Sequence, residues 1–224
     1  MNERTEIIIG KEALNQLSKS KVIVFGVGGV GGYVCEMLAR SNVGHLTLVD
    51  FDKVSVSNLN RQIVALNSTI GMNKIEVMEQ RINDINPACK VEVVLEKLLP
   101  ENIESFKLYE YDYVIDCIDM VTSKLALIKY CNEKDIKLVS ALGAGNKNGI
   151  PSFKICDIFE TQNDGLAKVL RRELKKLGID KATVCFTDQK PIVSKVVGSI
   201  AYYPAVCGCV IASFVINKLI KNNC

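Results

Sequence analysis

Residues 21–52, KVIVFGVGGVGGYVCEMLARSNVGHLTLVDFD, restrict the fold of this chain more than any other stretch. Positions 22–25 are a short apolar, β-branched run, which predicts a buried strand. Gly26, Gly28, Gly29 and Gly31 follow it at once. A helix is predicted over 33–40 and a second strand over 45–49, running into Asp50. Glycine at such a turn puts no Cβ in the way of a phosphate, and the helix N-terminus offers unpaired N–H donors. An acid roughly twenty residues further on stands where a ribose hydroxyl is held. Glycines in this order are weak evidence by themselves; with strand, helix and acid in place they predict a nucleotide site.

The alternation continues downstream. Apolar spacing over 75–85 predicts a helix closed by Asn86-Pro87, and 90–96 alternates as a strand. A buried strand is expected over 111–117, a helix over 123–134 and another strand over 137–142. Such alternation predicts an α/β, Rossmann-like, mainly parallel sheet with helices on both faces. From Gly149 the rhythm changes. A strand over 153–158 precedes a helix over 166–177, with Leu166, Val169, Leu170, Leu174 and Leu177 on one face. A short strand over 183–186 and a buried helix over 205–220 complete the added C-terminal strands and helices. At the other end, 4–9 is expected to be extended, followed by a turn at Gly10 and a short helix.

The 224 residues are 48% hydrophobic, enough to bury a full core as one large domain or a domain with an appendage. The net charge of +3 is too mild to mark the whole chain as a polyanion binder. Of the nine cysteines, Cys35, Cys117, Cys131, Cys156 and Cys207 sit in apolar runs, and the opening MNERTEIIIGKEAL has no basic-then-apolar targeting pattern. Free buried thiols in a reducing cytoplasm are therefore expected. No C-x-x-C pair occurs and Cys207-x-Cys209 lacks partners, so no zinc is expected. Residues 196–217 carry no charge and are long enough to span a bilayer. Gly198, Ser199 and Pro204 interrupt them, and Tyr202 and Tyr203 lie mid-stretch instead of at the ends. A core helix is expected there, and no membrane partner.

A glycine turn of this kind most often serves NAD or NADP redox chemistry, which stands as the competing reading together with a nucleotide-binding regulator that has no turnover. The loop after Asp50 argues for a triphosphate instead. It supplies a second acid, Asp52, then Arg61 and Gln62, then Lys74 at the start of a helix. Splitting ATP between its α- and β-phosphates develops charge on the departing pyrophosphate, and cations or a carboxylate-held metal answer that charge. Asp119 follows a parallel strand, where open sheets bind ligands. It would serve equally as a helix N-cap, just as Arg61 or Lys74 alone would serve as a surface charge.

The glycines, then VDFDKVSVSNLNRQ, a lysine thirteen residues after the arginine, and DCIDM together resemble the ATP-binding core of the ubiquitin-activating-enzyme-like superfamily. Its members include the adenylating enzymes for bacterial sulfur-carrier proteins. The resemblance spans residues 4–142. It implies ATP and Mg²⁺ as cofactors, adenylation of a carboxylate, and a homodimer. It assigns Gly26, Gly28, Gly29 and Gly31 to the nucleotide, Asp50 to the ribose, Arg61 and Lys74 to the phosphates, and Asp119 to the metal. Arg61, Lys74 and Asp119 are the implied catalytic set. Asp52, Asn58 and Gln62 would line the same pocket, and Arg4 would reach the partner subunit's ATP.

The second half separates the branches. Sulfur-carrier enzymes typically hold zinc with two C-x-x-C pairs, whereas DGLAKVLRRELKKLGI and GSIAYYPAVCGCVIASFVINKLI resemble the tRNA threonylcarbamoyladenosine dehydratase branch. The implied partner is tRNA bearing that nucleoside, with a sulfur-relay protein as a further partner left open. Adenylation of a carrier protein's C-terminus is the alternative. Members of the branch can run further at the C-terminus than this chain. Its 1–224 would be one ATP-binding adenylating domain, with a nucleotide core over 1–148 and C-terminal elements over 149–224 for tRNA and dimer contacts. Between Lys168 and Lys181 six cations face two acids. Taken alone, that helix could be a solvated face, a membrane contact or a phosphate contact. Beside a carboxylate-activating core, Lys168, Arg171, Arg172, Lys175 and Lys176 are the candidate tRNA contacts. Cys185, in TVCFTDQKP, lies where relatives carry a transfer cysteine; its apolar neighbours favour a structural role. His45 opens an apolar strand and is read as structural.

Overall fold

In the computed structural model, which describes residues 2–220, the nucleotide unit forms β1 (Lys21–Phe25), α3 (Gly31–Arg40) and β2 (His45–Val49). The chain continues through α4 (Lys74–Ile85), β3 (Lys90–Val94), β4 (Tyr113–Asp116), α5 (Val121–Glu133) and β5 (Leu138–Ala141). Then come β6 (Lys154–Asp157), α6 (Gly165–Lys176), β7 (Thr183–Phe186) and α7 (Tyr202–Ile220). One sheet results, in the order β3-β2-β1-β4-β5-β7-β6. Every neighbouring pair is parallel except β6 and β7.

Strand side chains alternate between faces, and the core divides accordingly. Val22 and Val24 of β1 join α3, α4 and α7 on one side, through Val34, Leu38, Met78 and Ile211. Ile23 and Phe25 face the other side, where Phe106 and Leu127 cover them. Further along that side, α6 packs Leu170 and Leu174 against Val184 and Phe186 of β7. The added strands therefore extend the same sheet. The mainly parallel α/β fold with helices on both faces is as expected.

Helix α7 is long and apolar enough to cross a bilayer. Its buried stripe, including Cys207, Ile211, Val215 and Leu219, instead covers the sheet beside α3. It starts before residue 205 because Pro204 lies in its first turn, where a missing N–H costs no intrahelical bond.

The N-terminal segment differs from expectation. Residues 4–9 are not extended: α1 (Glu3–Ile9) is helical and leads through Gly10 into α2 (Lys11–Leu17). The isoleucine run suggested a strand, but among the described residues no sheet edge receives it. Glu3 and Glu6 sit in its first turn, where acids suit the helix dipole. Ile7 and Ile8 remain 81% and 82% exposed, whereas Ile9, partly buried, packs against the core. Leu177 also departs from the expected apolar face. It follows the last turn of α6 beside Gly178, whose φ of +71° turns the chain away, and it is exposed.

Candidate active site

The strand order turns between β1 and β4, and a cavity of about 410 Å³ opens there at their carboxyl ends. Two glycines shape its floor. Gly26 has φ +86°, and a Cβ on it would lie 2.8 Å from the Cys117 carbonyl oxygen. A Cβ on Gly31 would lie 1.8 Å from the Gly26 oxygen, so α3 can begin against the turn only with glycine there. Gly28 and Gly29 face the cavity.

Asp50 is buried at the end of β2. Its Oδ2 accepts the Val27 N–H at 2.6 Å and its Oδ1 the Asp52 N–H at 2.8 Å. These bonds fix the carboxylate and leave further lone pairs for a sugar hydroxyl. Lys74 opens α4, is 5% exposed, and places Nζ 2.7 Å from Asp52 Oδ2. Arg61 Nη1 donates to the Ser57 carbonyl at 2.8 Å and to Asn60 Oδ1 at 2.9 Å. Asn58 closes a tight turn by accepting the Ser55 N–H. Gln62 is buried, and its Oε1 has no hydrogen-bond donor among the described residues. Asp50, Asp52, Asn58, Arg61, Gln62, Lys74 and Asp119 all line the cavity.

Asp119 does not cap α5. Met120 occupies that position, with no side-chain cap bond, and Asp119 stays exposed without a partner among the described residues. As a metal site the arrangement is sparse. Among the described residues no three His, Cys, Asp or Glu side chains form a ready cage. Magnesium does not need one: it keeps waters and takes one or two carboxylates plus substrate phosphates. Asp119, a free, hard oxygen ligand on the cavity wall, fits that mode.

Behind Asp119 lies a feature that sequence reasoning missed. Asp116 and Lys124 form a 2.7 Å ion pair with both side chains 0% exposed. Asp116 Oδ1 also accepts the Ile118 N–H at 3.0 Å, which sets the turn that delivers Asp119. The signal was an acid closing an otherwise apolar strand, where an unpaired charge would be intolerable. Burial, with Asp116 adding to it, raises the Cys117 thiol well above its ordinary value, which disfavours the thiolate at this cavity-lining sulfur.

The outlying candidates are distributed unevenly. Leu166, in the first turn of α6, lines the cavity, and Asp164 N-caps that helix while accepting the Gly143 N–H at 3.1 Å. The cations on α6 are not equivalent. Arg171 is turned to Thr161, donating to its carbonyl at 2.9 Å and to its hydroxyl. Arg172 and Lys176 both pair with Glu173. Lys175 lies over the Phe159 ring, and Lys168 is exposed with no ion pair among the described residues. Arg4 is exposed on α1 and does not line this chain's cavity. Cys185 is fully buried with its Sγ 3.7 Å from that of Cys207. His45 is half-buried beside Glu92.

The sequence profile of the ThiF family matches residues 3–224. The chain belongs to the ThiF family. The tRNA threonylcarbamoyladenosine dehydratase of Bacillus subtilis (strain 168) is 43% identical to this ThiF chain, over 98% of it and 94% of the relative. The structure of E. coli tRNA N6-threonylcarbamoyladenosine dehydratase, TcdA, in complex with AMP superposes with a TM-score of 0.93 at 36% identity, covering 97% and 93% of the two chains. The same enzyme in complex with ATP gives 0.91 at 36% identity, covering 97% and 92%. The resemblance drawn from the glycine turn and the loop after Asp50 thus led to the right family, and that of the second-half segments 164–179 and 198–220 to the right branch.

Proposed function

We propose that this chain is an ATP-dependent dehydratase acting on threonylcarbamoyladenosine in tRNA as one adenylating domain. The observation that carries the reading is the convergence of Arg61, Lys74 and Asp119 on one cavity behind the glycine turn. Its support is the likeness to dehydratases of that name along nearly the whole chain.

The threonyl carboxylate oxygen attacks the α-phosphorus of ATP and the bond to the β-phosphate breaks, releasing pyrophosphate. An internal nitrogen or oxygen of the same group then attacks the acyl carbon. It expels AMP, loses a proton and closes the cyclic nucleoside. Asp50 holds the ribose, and Arg61 and Lys74 meet the charge that grows on the leaving pyrophosphate. Lys74 can do so by exchanging Asp52, itself half-exposed, for a phosphate oxygen. Asp119 is the residue that would hold Mg²⁺, whose part is to neutralise the phosphate oxygens. Because the second nucleophile is internal, no enzyme thiol is required, in keeping with the burial of Cys185 and the raised Cys117.

Helix α6 begins at the cavity and exposes Lys168 and Lys175, a placement suited to the tRNA backbone near the modified nucleoside. Exposed Ile7 and Ile8 beside Arg4 suit a homodimer in which α1 is covered by a second copy and Arg4 reaches that copy's nucleotide. A cytoplasmic setting, where tRNA is present, suits this substrate. Incubation of modified tRNA with ATP and Mg²⁺, followed by mass analysis of nucleosides, tests the reading. The threonylcarbamoyl nucleoside should lose the mass of one water. ATP–pyrophosphate exchange stimulated only by a carrier protein would reject it in favour of carrier adenylation.

A further inference from the structure

We propose that Asn60 is a positioning residue that links Arg61 to the strap over the mouth of the cavity, so that filling the phosphate site alters the strap. The strap is the segment 187–201 between β7 and α7. Its Val197 and Ser199 line the cavity, while Val193 is fully exposed and Val196 is 77% exposed. So few buried apolar contacts leave its placement to hydrogen bonds.

The strap's 187–189 end is tied by Lys147 to the Thr187 carbonyl, by Asn163 to the Asp188 carbonyl and by Gln189 to the Ile150 carbonyl, and the stretch beside the cavity is held by two asparagines. Asn146, at φ +55°, forms the firm anchor. Its N–H donates to the Gly198 carbonyl at 2.8 Å, its carbonyl accepts the Ile192 N–H at 2.6 Å, and its Oδ1 accepts the Gly198 N–H. Asn60 forms the second tie on the other rim. Its Nδ2 donates to the Ser199 carbonyl at 2.9 Å, and its Oδ1 accepts from Arg61 Nη1 at 2.9 Å. The single Asn60 amide therefore touches both the strap and the guanidinium.

In the structure Arg61 rests on neutral acceptors, the Asn60 amide and the Ser57 carbonyl. A phosphate oxygen is a stronger acceptor for a guanidinium than either. Once Arg61 turns to it, Asn60 loses the partner that fixed its amide plane, and the tie to Ser199 loosens or re-forms. Only a primary amide serves here, because one atom must accept while the other donates. An aspartate would set a carboxylate against the Ser199 carbonyl and hold Arg61 in an ion pair. The consequence is that the mouth through which the acceptor carboxylate enters responds to nucleotide in the pocket. This inference rests on the ATP reading of that pocket.

The test measures hydrogen exchange of strap peptides with and without ATP–Mg²⁺, and ATP affinity by calorimetry, in the wild type, Asn60→Ala and Asn60→Asp. Asn60 is exposed, so the variants should fold. The wild type should bind ATP and change its strap exchange. Asn60→Ala should bind ATP within about threefold of wild type, yet show the same strap exchange with and without it. Asn60→Asp should weaken ATP binding by about tenfold by retaining Arg61. A merely structural tie would shift exchange equally in both states. The relay is overturned by an Asn60→Ala strap that still responds to ATP as wild type does, or by a wild-type strap that ignores bound ATP. ATP affinity in Asn60→Asp equal to wild type overturns the holding of Arg61. Failure of the wild type to bind ATP at all overturns the nucleotide reading and the relay with it.

Discussion

Two lysine–aspartate pairs flank the cavity at the same 2.7 Å separation, and they differ in almost everything else. Lys124 and Asp116 are both 0% exposed, whereas Lys74 is 6% and Asp52 50% exposed at the side chain. A sealed pair cannot meet a ligand. What it does is spare the core two unpaired charges and set the turn ahead of Asp119. A half-open pair keeps its cation in place while leaving the acid free to be displaced by phosphate. Distance alone would call these pairs equal; burial separates the scaffold pair from the one proposed as machinery.

The largest effect expected lies on the machinery side. Asp119→Ala should abolish turnover while leaving the thermal midpoint unchanged, since this carboxylate is exposed and unpartnered among the described residues. Turnover assays beside thermal melts decide it, and retained activity would remove Asp119 from the metal role. Lys124→Met marks the other side. Stranding Asp116 in the core should cost about 3–5 kcal/mol in urea unfolding. Lys74→Met, which releases a half-exposed acid, should cost under about 1 kcal/mol. Equal losses would erase the distinction between the pairs.

Kinetics should reverse that ranking. Arg61→Ala and Lys74→Ala should each lower kcat by roughly a hundredfold or more if they answer pyrophosphate charge, with fold stability nearly unchanged. A mutant that raised only the KM for ATP would show that the side chain binds nucleotide without favouring the transition state.

Much of this site was legible in the sequence because its parts follow local rules. Gly26 and Gly31 are demanded by backbone contacts within the turn, and Asp50 and Lys74 sit at the ends of elements whose periodicity is plain. The sheet followed from the same alternation. What escaped notice depends on contacts between separate elements. Asp116 and Lys124 pair across a strand and a helix, and Asn60 reaches Ser199, far along the chain. No spacing rule encodes such contacts. The isoleucines of α1 misled for the opposite reason: β-branched residues favour strands only where a sheet edge or cover exists. The basic helix α6 was visible, yet its sequence could not show that Arg171 is turned to Thr161.

A third ionic cluster falls between the two pairs and sharpens the comparison by the smallest margin. Glu36 of α3 is 5% exposed at the side chain and meets Arg40 at 2.7 Å and Arg81 of α4, whose side chains are 53% and 38% exposed. Burial pushes its carboxyl up, but hydrogen bonds from Arg81 and Arg40 outweigh this and hold it below its ordinary 4.5. A depressed carboxylate contributes stability above its unfolded value and loses it as pH falls through the folded one. Glu36→Gln should therefore cost about 1 kcal/mol at neutral pH, the exposed arginine ends being screened. The gap between wild type and variant should stay constant down to about pH 4.5 and close under further acidification. Urea unfolding of both proteins across that range checks it. A gap that persisted in acid would mean that Glu36 acts through its shape in the α3–α4 contact and that its charge contributes nothing, which would place it outside the burial series altogether.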